Sequence, residues 1–222
     1  MIISFSGVDG GGKSTQIELL SRRLGKSEVR ARTVWARGGY TPGFEFAKRT
    51  MRMLMGSGLP ETGKSETRSE LLGKAWVKNL WLTVAILDLT FLYSVVVRFH
   101  SFRGCLVLCD RYLWDTELDF LLNFPNVDIQ SKWVWKFLCF SAPVPDISFL
   151  FLVPVETSVE RSKLKCEPFP DEPEVLDERL RFYSDTERFP DQVFSRVDGN
   201  DSIDVVHEEM YEEVAKRIPV CG

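Results

Sequence analysis

The sequence predicts an α/β protein built on a doubly wound, parallel, five-stranded sheet flanked by helices. Three observations carry that expectation. Short apolar runs alternate along the chain with longer stretches of helical period. Several of those runs are apolar at consecutive positions, the pattern of strands buried on both faces. A glycine-rich turn joins the first such run to the first helical stretch.

The first strand is placed at residues 2–6, with others at 29–35, 105–109, 147–153 and 193–197. The first helix, 14–24, carries Ile17, Leu20 and Leu24 on one face. Residues 44–55 repeat that period with Phe44, Ala47, Met51 and Leu54. Neither Gly nor Pro interrupts 74–103, which predicts one long helix. Helices follow at 113–124 and 130–140, separated by Pro125, then at 157–165, 173–186 and 203–217. No internal repeat or long linker divides the chain. A single domain, 1–222, with a lid at about 161–179, is expected.

Composition limits the partners. A formal net charge of -4 lacks the broad positive field that nucleic-acid binding needs, so none is expected. The cysteines (Cys105, Cys109, Cys139, Cys166 and Cys221) form no CxxC pair, and His100 and His207 stand at no zinc-site spacing. They read as buried thiols of a reducing compartment. The chain opens directly on a strand pattern, so no targeting segment and a cytoplasmic location are expected. Residues 80–97 reach transmembrane length, but Asp88 near mid-span is costly in lipid. The expectation is a buried helix at a core or dimer seam, with no membrane.

The strongest signal is Gly7-Val8-Asp9-Gly10-Gly11-Gly12-Lys13-Ser14-Thr15, which matches G-x-x-x-x-G-K-[ST] between a strand and a helix. Gly7, Gly10, Gly11 and Gly12 let backbone N–H groups fold inward around a phosphate without side-chain clashes. The helix that starts at Ser14 and Thr15 aims its positive end at the same anion. Lys13 is expected to bridge β- and γ-phosphates and Ser14 to reach magnesium, which makes ATP and Mg2+ the expected ligands. Residues 58–65 satisfy the same pattern. There no buried strand delivers the chain into the turn, and Pro60 removes an N–H, so that match is read as a decoy.

The strand at 105–109 ends in Asp110-Arg111-Tyr112. A carboxylate there suits a magnesium-side role, because ligands of open α/β sheets collect at the carboxyl ends of strands.

GVDGGGKSTQ at 7–16, ARGGYTPG at 36–43, LCDRY at 108–112 and DGNDSID at 198–204 together resemble the thymidylate kinase family of nucleoside monophosphate kinases. Their order and separation fit over essentially the whole chain. The resemblance implies an ATP-dependent phosphotransferase that acts on a small acceptor and forms a homodimer. It implies that Arg37 and Arg111 grip the acceptor's phosphate, with Tyr40 on the same side; guanidinium forks suit that task. Asp9 is implied beside magnesium and the transferring phosphoryl group. Arg161 is implied as the lid cation, with Lys165 and Arg179 as further candidates, since Gly10 and Gly11 stand where an arginine could otherwise supply it.

The departures lie on the acceptor side. Residues 86–90 lack the arginine that family members place near the pyrimidine, and Asp119-Phe120 stand in place of Tyr-Gln. Both point away from thymine as the base. Asp115, Glu117 and Asp119 follow instead, with Asp115 and Asp119 on one helix face. They are either readers of a polar acceptor or a solvated acidic face. Three functions stay open: a nucleoside monophosphate kinase, a diverged relative acting on another phosphorylated or polar metabolite, and a nucleotide-binding ATPase or regulator without an acceptor.

Overall fold

A computed structural model describes residues 1–36, 75–165, 171–190 and 192–218. The expected helix at 44–55, the decoy at 58–65, Arg37, Tyr40, Cys166 and Cys221 lie outside the described residues. The chain divides into two compact units, Met1–Trp35 with Val97–Pro125 and Val144–Gly222, and Ala36–Val96 with Asn126–Pro143.

The first unit holds a five-stranded, wholly parallel sheet, as the sequence predicts. Its strands are β1 (Ile2–Gly7), β2 (Ala31–Trp35), β3 (Leu106–Asp110), β4 (Ile147–Leu152) and β5 (Ser195–Asp198), in the order β2-β3-β1-β4-β5. Register places Phe5 opposite Asp110 and Gly7 opposite Phe151, so the ends of β1, β3 and β4 meet. Side-chain alternation splits the core between two faces. Ile3, Phe5, Leu108, Phe149 and Phe151 pack with Ile17, Leu20 and Leu24 of α1 (Lys13–Lys26) and Val206, Met210 and Val214 of the last helix, Ile203–Ala215. On the other face Leu150 packs with Leu118, Tyr183, Phe189 and Phe194.

Local hydrogen bonds account for strands that start later than their apolar runs. Glu28 at φ 60 and the Val29 N–H on the Leu24 carbonyl (3.0 Å) close α1, so β2 begins only at Ala31. The Val193 N–H on the Pro190 carbonyl (2.9 Å) makes a turn ahead of β5.

The helix expected at 74–103 is helical throughout its described length but not uniform. It runs as α2 (Ala75–Phe91), a π-helical stretch (Leu92–Val97) and α3 (Arg98–Phe102). The Thr90 hydroxyl donates to the Ile86 carbonyl (2.7 Å) just before the π turn, the kind of back-bonding that disturbs a helical ladder. The run Lys78–Phe102 is long and apolar enough to cross a membrane, with 39% of its most apolar window buried. Trp76, Leu80, Leu87 and Phe91 of α2 and Val95 of the π-helical stretch form an exposed stripe. Burial pushes the Asp88 carboxyl up to about 6.

After α4 (Leu113–Asn123), α5 (Trp133–Ser141) starts three residues later than its apolar period suggests. Asp128 takes the Ser131 N–H on its side chain (3.2 Å) and the Ser131 hydroxyl on its carbonyl (3.0 Å), a turn that competes with the helix. Within the second unit α2 and α5 pack together, with Lys132 donating to the Asn79 side chain (2.9 Å). The remaining helices are α6 (Val155–Leu164), α7 (Pro173–Ser184) and α8 (Ile203–Ala215).

Candidate active site

The site is built from the turn between β1 and α1. Gly7, Gly10 and Gly12 have φ of 125°, 74° and 97°, a region that side chains disfavour. Gly7 is the most constrained, since a Cβ there would lie 2.0 Å from the Phe151 carbonyl oxygen. Gly7→Ala is therefore expected to destabilise the fold by about 2–5 kcal/mol, combining backbone strain with overpacking against rigid backbone. Chemical denaturation checks this; a loss under 1 kcal/mol would show that the turn can relax.

Lys13, 7% exposed, turns its ammonium into the loop and donates to the carbonyls of Gly7 (2.8 Å) and Val8 (2.6 Å). Burial, reinforced by the nearby Arg111 guanidinium and opposed by Asp9, lowers its pKa to about 8. Ser14 is exposed at the start of α1. Two side chains of α6 brace the loop from outside. The Ser158 hydroxyl donates to the Asp9 carbonyl (2.5 Å), and Arg161 Nη1 donates to the carbonyls of Gly10 (3.1 Å) and Gly199 (2.9 Å).

The end of β3 supplies the facing charges. Arg111 stands in the left-handed region (φ 72°), a cost that argues for a required side-chain direction. Its guanidinium donates to the Asp9 carboxylate, and its Nη1 lies 4.0 Å from Asp115. That Nη1 has no hydrogen-bond partner among the described residues. Burial pushes the Asp110 carboxyl above its usual range, against the pull of Lys13 and Arg111.

Behind these groups lies a buried set of acid–base contacts. Asp115, 1% exposed, accepts from the Ser6 hydroxyl (2.6 Å), the Gly7 N–H (3.3 Å), the Tyr112 N–H (3.1 Å) and the Tyr183 hydroxyl (2.7 Å). Asp119 takes Arg179 Nη2 (2.7 Å), and the same guanidinium reaches Asp171 (2.8 Å). Glu117 takes Arg188 (2.9 Å).

No protein-family model matches the chain. Curated relatives do. The thymidylate kinase of Thermosipho africanus is 27% identical over 220 residues, covering 98% of this chain and 99% of that protein. Those of Bartonella henselae and an Exiguobacterium species are 26% and 24% identical, covering 94% and 100% of this chain and 92% and 97% of theirs. Over nearly its whole length the chain is similar, at 24–27% identity, to curated thymidylate kinases. It is a kinase.

In this thymidylate kinase relative the expected site residues gather as follows. Gly7 to Thr15 form the turn, with Lys13, Asp9 and Arg111 mutually close: Asp9 is 4.0 Å from Lys13 and directly paired with Arg111. Asp110 ends the neighbouring strand. Arg161, expected over the phosphates, is engaged with loop carbonyls. Asp115 and Asp119, expected to read the acceptor, both have protein partners. Three residues escaped the sequence reading: Ser158, Tyr183 and Arg179's partner Asp171. Ser158 and Tyr183 meet their partners Asp9 and Asp115 only across the fold, so no local signal marks them.

Proposed function

We propose that this kinase moves the γ-phosphoryl group of ATP to a phosphate-bearing acceptor of the nucleoside monophosphate class. One arrangement carries the reading: a left-handed glycine turn encloses a buried ammonium, with the Arg111 guanidinium aimed at the same place. Lys13 would turn from the carbonyls of Gly7 and Val8 onto the β- and γ-phosphates, joined by the loop amides and the positive end of α1. An acceptor phosphate oxygen then bonds to the γ-phosphorus as the bridge to ADP breaks.

Arg111, with Arg37 and Tyr40 from outside the described residues, would hold the acceptor's phosphate, and Arg161 would add positive charge against the loop. Asp115 and Asp119 would act on the acceptor indirectly, by holding Arg111 and Arg179. The donor set also suits magnesium. Asp110 is a carboxylate whose charged form is disfavoured by burial, so a cation beside it would be welcome. With Asp9 and the Ser14 hydroxyl it offers hard oxygen ligands. Magnesium would there offset phosphate charge. Names of the relatives support a nucleoside monophosphate acceptor; the missing pyrimidine arginine and Tyr-Gln favour a base other than thymine.

We further propose a cytoplasmic enzyme working as one domain. The exposed α2 stripe would serve a homodimer rather than lipid, which sedimentation and fractionation check.

Coupled ADP detection across nucleoside monophosphates, nucleosides and sugar phosphates tests the reading. Acceptor-dependent ADP, absent in Lys13→Ala, is expected; ADP release indifferent to every acceptor would favour an ATPase. A pH series adds a second check. Since Lys13 loses its proton near pH 8 in the folded chain, ATP affinity should fall above that pH, by up to about tenfold per unit. The stability sign is opposite. The unfolded chain keeps that proton up to about 10.5, so this group's contribution rises as pH climbs from about 8 to 10.5. Flat ATP affinity from pH 7 to 9.5 would contradict the role of Lys13.

A further inference from the structure

The acids at 115, 117 and 119 do not form a solvated face. Each is fastened to the segment around α7: Asp115 to Tyr183, Glu117 to Arg188 and Asp119 to Arg179. Asp115 differs from the other two in what it touches next. Its Oδ1 accepts from Tyr183 Oη and from the Gly7 N–H, while its Oδ2 accepts from the Ser6 hydroxyl and the Tyr112 N–H. A carboxylate offers about four acceptor positions, so Asp115 is filled by these contacts.

We propose that Asp115 and Tyr183 are a positioning pair that sets the phosphate loop in its binding shape and couples α7 to it. This rests on the reading that the loop holds a triphosphate. Five contacts make the argument. The Gly7 N–H is fixed by Asp115, and the carbonyl of the same residue receives the Lys13 ammonium. The loop's lysine is thus one residue's backbone away from the buried carboxylate. Gly7 sits at φ 125° against the Phe151 carbonyl, a conformation that surrounding contacts must hold. On the acceptor side, Asp115 fixes the Tyr112 N–H directly after the left-handed Arg111, and lies 4.0 Å from that guanidinium. Tyr183, fully buried against Phe189 and Phe194, places its hydroxyl on Asp115 from α7. A displacement of α7 would therefore release a hydrogen bond on the carboxylate that holds both Gly7 and Tyr112.

Tyr183→Phe removes only the hydroxyl and keeps the ring in its apolar cluster. Its MgATP dissociation constant is expected to rise about five- to tenfold, since bonds to charged groups are among the stronger ones. Amide exchange across residues 6–14 should quicken, while the strands behind stay protected. Asp115→Asn should weaken MgATP further; if that chain fails to fold, Tyr183→Phe decides alone. A purely structural tyrosine would lower the thermal midpoint yet leave MgATP affinity and loop exchange at wild-type values, and that result would overturn the proposal. Wild-type protein with no MgATP affinity would overturn the phosphate-loop reading and this inference with it.

Discussion

Lys13→Ala is expected to lose at least about a hundred- to a thousandfold in turnover, the scale of removing one preorganised charge-stabilising donor from a closed site. Its thermal midpoint should barely move. Two opposing effects act on the folded chain without nucleotide. The ammonium donates to the Gly7 and Val8 carbonyls, which favours folding. Its burial disfavours the charged form, enough to bring the pKa down to about 8. Hydrogen bonds from a charged donor contribute about 1.5–3 kcal/mol each net, and a downward shift of that size costs about 3 kcal/mol, so the two effects nearly offset. Loss of activity with an unchanged midpoint separates a catalytic lysine from a structural one. Parallel loss of both would make Lys13 a scaffold residue.

The second large effect is expected at Arg111. Arg111→Lys retains one positive charge but not the fork that can bind Asp9 and a phosphate together. Acceptor KM should rise at least about tenfold and turnover fall about a hundredfold, because orientation as well as attraction is lost. Arg111→Ala is a harsher change. It strips the guanidinium from the Asp9 carboxylate and from the vicinity of Asp115, and breaking such a buried pair costs about 3–5 kcal/mol. The lysine variant is thus the informative one. Steady-state kinetics with the acceptor found in the ADP assay would check it, and unchanged acceptor KM would remove Arg111 from the acceptor side.

The strands and the phosphate loop were legible because their signals are local. Strands buried on both faces must be apolar at consecutive positions, as 149–152 is, and the loop's glycines sit between a strand and a helix. What stayed hidden is long-range pairing. The spacing of Asp115, Glu117 and Asp119 marks a helix face, but nothing nearby says that Tyr183, Arg188 and Arg179 occupy it. Arg161 was legible as a cation near the lid, yet its bond to the Gly199 carbonyl depends on how the turn after β5 approaches the loop. The late starts of β2 and α5 have a shared cause. Local turns at Glu28 and Asp128 satisfy backbone and side-chain groups before the regular element can claim them.

Titration calorimetry of MgATP into the wild-type chain at pH 7.5, with Lys13→Ala beside it, tests the loop's role most directly. The expected result is one site per chain with micromolar affinity, weakened at least about tenfold in the variant. A folded wild-type chain that takes up no MgATP at millimolar concentration would contradict it.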